Sequence, residues 1–220
     1  EAANEGKWSW IEAKSILCIL YLWVEDDPVL ALPHGRELSY NFPDNYWFNL
    51  LYVESLIRTN RIDDAYKVLE NMSSLLQNLT DRQKEWYTPY QSYEIALLYF
   101  RQKHYRKSLK NVAKTINNYS GELDVILGNA YLLQGMLNDK LGKRNDAIES
   151  YKSCIELDNF SIAMEKAKKY AAAAKTARDK AAAAKARKAA ADRKAKADKE
   201  AADRREQARV ASAKAAREKA

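Results

Sequence analysis

Residue types able to do chemistry are few in this chain, and their spacing does not join them. His34 falls in a loop-like stretch between Pro33 and Gly35, and His104 falls at a polar turn. Neither has a Cys, Asp or Glu at metal-ligand spacing. Cys18 and Cys154 lie far apart, each within an apolar helical pattern, and read as buried reduced thiols better than as a disulfide. Glu54, Asp63 and Asp64 sit at helix faces or helix starts, where solvation and the helix dipole account for them. Gly-rich phosphate loops and the HExxH, GxSxG and CxxC patterns are absent from the sequence. The expectation is a chain that is no enzyme and carries no catalytic residue, metal or cofactor.

The apolar side chains are better organised. Residues 8–25 read as a first apolar helix, with Trp8, Ile11, Leu20 and Trp23, ended by Asp26-Asp27-Pro28. A loop through Pro33, Gly35 and Pro43 is expected next. Asp44 then caps a helix over 45–59, and the turn at Asn60-Arg61 leads to a partner over 62–78. Thr80 and Asp81 cap a helix to about Lys103, which either kinks at Pro89 or, the reading preferred, has Pro89 in the first turn of the true repeat helix. Its partner covers 105–118, Ser120-Gly121 break the chain, and a last pair covers 122–141 and 144–158.

Two of these pairs echo each other. Glu94–Tyr99 leads through Tyr105 to Ser108, and Tyr131–Gly135 leads through Gly142 to Ala147 and Tyr151. Each reads as an apolar helix with a small residue, a short polar turn and a second amphipathic helix. Small residues let paired helices approach, so the fold class expected is all-α, a tetratricopeptide-like α-solenoid of antiparallel helix pairs. Ala65, Ser108 and Ala147 are spaced by 43 and 39 residues, longer than the usual repeat of about 34, and pairs of the HEAT type are the rival.

In such a solenoid the first helix of each pair lines the concave surface. That register projects Trp47, Leu50, Glu54 and Ile57, then Tyr90, Tyr93, Leu97 and Phe100, then Asn129, Leu132 and Met136. The expected partner-binding groove is Trp47, Leu50, Ile57, Tyr90, Tyr93, Leu97, Phe100, Leu132 and Met136. It would suit an apolar peptide, an amphipathic helix or a lipid, and it lacks the cations of a carboxylate clamp. The alternative is that these side chains simply pack against the first helix or a missing neighbouring segment.

Charge divides the chain. The whole carries +7. Residues 171–220 hold 16 Lys+Arg and 7 Asp+Glu, a net of +9, leaving the other 170 residues with 21 and 23, a net of −2. The tail holds 23 Ala and two Ala-Ala-Ala-Ala-Lys runs, so it reads as a solvated helix like an engineered spacer. The domains expected are a repeat body over 1–160 and an appended or engineered helix over 161–220. After Tyr170 the single large aliphatic residue is Val210, which leaves no coiled-coil seam or membrane-surface face. A basic tail could meet an anionic surface, but without aromatic platforms nucleic acid is not the expected partner.

The N-terminus opens acidic, unlike a signal peptide, and the apolar run Ile16–Val24 is too short for a membrane span. A cytoplasmic setting is expected, with nuclear or lipid-droplet association as variants. Sequons at Asn71, Asn78, Asn118 and Asn159 carry no meaning there.

Trp86-Tyr87-Thr88-Pro89-Tyr90, running into Glu94–Tyr99 and then Asn117-Asn118-Tyr119, resembles the C-terminal part of the tetratricopeptide repeat protein 39 / inclusion-body-clearance family. Leu20–Trp23 and Asn60–Ala65 resemble that family's upstream helix and first repeat turn. The similarity covers roughly 10–160; Ala96 and Lys103 stand where Gly is usual, and Val24-Glu25 replace Asn-Gly. It implies a non-enzymatic interaction scaffold linked to clearance of protein inclusions and to lipid droplets. A lipid or sterol carrier using the same apolar surface is the alternative.

Overall fold

The computed structural model describes residues 9–119, 121, 124–159 and 161–217, with side chains as far as Arg204. Trp8, Ser120, Phe160 and the Val210 side chain lie outside the described residues. Among the described residues nine α-helices follow in order: α1 Ser9–Trp23, α2 Pro28–Asn41, α3 Tyr46–Arg58, α4 Ile62–Leu75, α5 Asp81–Arg101, α6 Tyr105–Asn118, α7 Val125–Lys140, α8 Arg144–Glu156 and α9 Ile162–Arg217. A 3₁₀ turn, Leu76–Asn78, extends α4. The fold is all-α, and no strand occurs among the described residues.

The pairs are antiparallel hairpins closed by one recurring turn. Asn60, Lys103 and Gly142 adopt φ of 64°, 62° and 75°. In each turn the residue after the left-handed one donates its N–H to the carbonyl five residues back: Arg61 to Leu56 at 2.8 Å, His104 to Tyr99 at 2.9 Å, Lys143 to Asn138 at 2.8 Å. This is the Schellman closure, which satisfies the last carbonyls of the first helix. Lys103 holds its place despite the steric cost of a left-handed non-glycine residue, ~1–2 kcal/mol. Across the hairpins, Ser108 Oγ donates to the Ala96 carbonyl at 2.7 Å and Thr115 Oγ1 to that of Pro89 at 3.0 Å. Ala65, Ser108 and Ala147 are fully buried at the close approaches.

Two sequence expectations are overturned. The expected loop through Pro33 and Gly35 is helix α2, and α1 with α2 forms a further hairpin. Asp27 caps it, its Oδ1 accepting from the N–H groups of Val29 and Leu30 at 3.1 Å, and Pro28 occupies the first turn, where its missing N–H is harmless. Pro33 lies on the exposed side, and Gly35 is there for contact: a Cβ would stand 3.1 Å from Tyr52 Cα. The left-handed residue of this turn, Asp26 (φ 58°), precedes Asn60 by 34 residues, so the first interval has the usual repeat length and only the later ones are stretched. Second, Pro89 does not open a helix. The box in which Thr80 and Gln83 cap each other starts α5 at Asp81, eight residues earlier, and the helix runs through the buried Pro89. Packing outweighs the lost hydrogen bond there. A smaller shift puts the α3 cap on Asn45, whose Oδ1 accepts from Phe48 N at 3.1 Å, not on Asp44.

First helices also pack on first helices: α1 on α3, α3 on α5, α5 on α7. The initial turns of α9 join the same compact unit, which ends at Ala174, beyond the expected boundary at 160. Ala163, Ala167 and Ala174 are buried there with Tyr151 and Cys154. The second unit begins at Lys175; its side chains from Arg178 to Arg204 are exposed, and Lys196 pairs with Glu200 at 4.0 Å.

Candidate functional site

First helices of successive hairpins converge on a cleft of about 310 Å³. Its walls include Leu22 of α1, Arg58 of α3, Tyr93, Leu97, Phe100 and Arg101 of α5, Asn129, Leu132 and Met136 of α7, and Ile162, Lys166 and Tyr170 of α9. Five of the nine expected groove residues therefore meet here: Tyr93, Leu97, Phe100, Leu132 and Met136. The other four do not. Leu50 and Ile57 are core residues, because α3 is covered by α1, α2, α4 and α5 and keeps no free face. Trp47 and Tyr90 belong to a separate aromatic stack with Trp86, at centroid distances of 5.3 to 5.6 Å from the Trp47 ring. Trp86, which the groove register omits, is 43% exposed beside a shallow depression.

The cleft is less apolar than expected. Arg58 donates to the Leu22 carbonyl, to Glu54 Oε1 at 3.2 Å and to Asp26, and Lys166 of α9 reaches the same Asp26. Arg101 donates through Nη2 to the Arg58 carbonyl at 3.2 Å and has no carboxylate partner among the described residues. A repeat-level signal for these cations does exist in the sequence. Arg58 and Arg101 each end a first helix two residues before the left-handed turn residue.

Behind Arg58 lies a buried pair of carboxyl groups. Trp23 Nε1 donates to Glu54 Oε2 at 2.9 Å, Glu94 donates to Glu54, and Glu94 Oε2 has no partner among the described residues. Burial, then the charge of Glu54, pushes Glu94 well above the usual carboxylate range, and burial also raises Glu54 against the pull of Arg58. Two negative charges so close and so deeply buried disfavour each other, so the pair holds a proton more tightly than either carboxyl would alone, with Arg58 favouring the charge on Glu54. A carboxyl group raised in the folded state binds its proton more tightly there than in the unfolded chain. Its stabilising effect is complete below the unfolded value near ~4.3 and is lost as pH rises toward the folded value. Glu94→Gln, which fixes the neutral form, should therefore be at least as stable as the parent at pH 7. Its urea midpoint should also fall less between pH 5 and 8; a steeper fall would contradict the shared proton.

The two thiols are free and inert. Burial pushes Cys18 up to about 12 and Cys154 to about 11, so neither forms a thiolate at neutral pH. Among the described residues no group of His, Cys, Asp and Glu is arranged to hold a metal, and no helix is long and apolar enough to cross a membrane. His34 stacks on Tyr21 at 5.9 Å, an α1–α2 packing contact.

With the cleft described, comparison with known proteins adds little. No family model matches the chain, and no curated protein matches it. Among solved structures it is similar to the one titled "Crystal structure of MamA protein", with 16% identity, over 66% of this chain and 72% of that chain, at a TM-score of 0.40. No family is assigned on these comparisons.

Proposed function

We propose that the chain is a non-enzymatic helical-repeat interaction scaffold that holds an apolar segment of a protein partner in the cleft between α5, α7 and α9. The observation that carries this reading is the convergence of side chains from successive hairpins on one concavity, where Leu97, Phe100 and Met136 are only half-buried and so keep surface for a ligand. Apolar grooves between helices commonly take one face of an amphipathic helix. The volume, at the low end of the ~300–1,000 Å³ of small-molecule pockets, does not favour a sterol or lipid carrier. Clearance of protein inclusions with a lipid-droplet link, in the cytoplasm, is the process implied by the resemblance at Trp86–Pro89 and Glu94–Tyr99, and it belongs to this proposal.

Replacing Phe100 and Met136 together by Ala tests the reading. Both are half-buried, so the circular dichroism spectrum should be retained, while binding of captured partners should weaken at least ~tenfold, the loss expected for two apolar contacts. A folded double variant that keeps every partner at parental affinity would sink the cleft as the binding site.

A further inference from the structure

The geometry points to an acidic side chain on the segment that this cleft holds: an amphipathic helix whose apolar stripe enters beside Leu97, Phe100 and Met136, with an Asp or Glu at its edge meeting Arg101. This rests on the scaffold reading and specifies its ligand. Charge complementarity carries it first. Three cations, Arg58, Arg101 and Lys166, line the cleft against one carboxylate, Asp26, which already serves Arg58 and Lys166. Arg101 is exposed and makes a single side-chain hydrogen bond among the described residues, to a carbonyl, so most of its guanidinium donors stay available at the rim. An independent observation is Asn129. It stands in the cleft wall at 8% exposure, and its Nδ2 lacks an acceptor among the described residues. A buried amide donor left unmade is costly, and an incoming acceptor would remove that cost. The cleft thus offers donors in excess of acceptors around an apolar floor.

The test selects a phage-displayed library of 16-residue amphipathic helices, with the apolar stripe fixed and its flanking positions randomised, against the full chain. Asp or Glu should be enriched beside the stripe. Changing that residue to its amide in the selected peptide should weaken binding by about tenfold, the effect of one charge-assisted hydrogen bond. On Arg101→Glu, an exposed substitution, the selection should turn to Lys or Arg at the same position. Enrichment without an acidic preference, or an acidic preference that Arg101→Glu leaves unmoved, overturns the inference. The scaffold reading survives that result if the same peptides still lose affinity on the Phe100→Ala, Met136→Ala variant. No enrichment over a library lacking the apolar stripe sinks both.

Discussion

Replacing Arg58 by Met is expected to destabilise the folded body by about 3–5 kcal/mol at pH 7, the usual consequence of removing one member of a buried ion pair. The guanidinium stands between two carboxylates. Glu54 beside it is fully buried, and Asp26 is partly exposed, so the loss is dominated by the charge stranded on Glu54. Trp23 Nε1 and Glu94 still donate to that carboxylate, but neutral hydrogen bonds do not balance a buried charge. The sign of the pH dependence follows. Without Arg58 the last negative charge of the Glu54–Glu94 pair is opposed by burial alone, so Glu54 takes up a proton more readily as pH falls. The deficit measured by urea unfolding should shrink between pH 7 and pH 5, and adding Glu54→Gln should recover much of it. A variant with an unchanged midpoint would show that the pair contributes nothing.

Gly135→Ala is the second large effect. The added Cβ would lie 2.3 Å from Tyr151 Cε1, 2.4 Å from Cδ1 and 2.8 Å from Cζ. Tyr151 has little room to yield: the ring is 1% exposed, its hydroxyl donates to Asp139 Oδ2 at 2.9 Å, and it packs on Tyr170 at 5.9 Å. Forcing α7 and α8 apart by one methyl group should cost about 3 kcal/mol, at the upper end of core overpacking. The helix-propensity gain of Ala over Gly, roughly 1 kcal/mol, acts in the opposite direction and is outweighed. Removing the ring separates the two terms. In a Tyr151→Leu background Gly135→Ala should be neutral or stabilising, and a loss as large as in the parent would refute the clash.

Much of this architecture was legible in residue spacing. Small residues at Ala65, Ser108 and Ala147 and the polar turns before them marked three hairpins, because a close helix approach leaves little choice of side chain. The first hairpin was hidden by its own punctuation. Pro28, Pro33 and Gly35 read as loop signals, yet one opens the helix in its first turn, one faces solvent and one makes room for Tyr52. The repeat register put Leu50 and Ile57 in a groove they do not reach, because α1 and α2 together cover the face of α3 that the register left open. Pro89 misled for the related reason that local propensity is weak against burial on both sides. The cleft's cations sit at helix ends in different repeats, and Asp26 meets Lys166 only through the winding of the whole stack. No single window of sequence holds that information.

That Asp26–Lys166 contact alters what kind of object the repeat body is. A helical-repeat stack is ordinarily one-dimensional, each pair touching only its neighbours, free to fray from either end. Here residues 140 positions apart are tied through one carboxylate shared with Arg58. The ion pair itself, about one-third exposed at each partner, is worth no more than about 1 kcal/mol. Loosening α9 takes one of two cations from Asp26 and leaves Arg58 in place, so the tie couples sequence-distant parts of the body without closing it. One side of the cleft mouth is thus a polar link between α9 and the α1–α2 turn, made through a single aspartate.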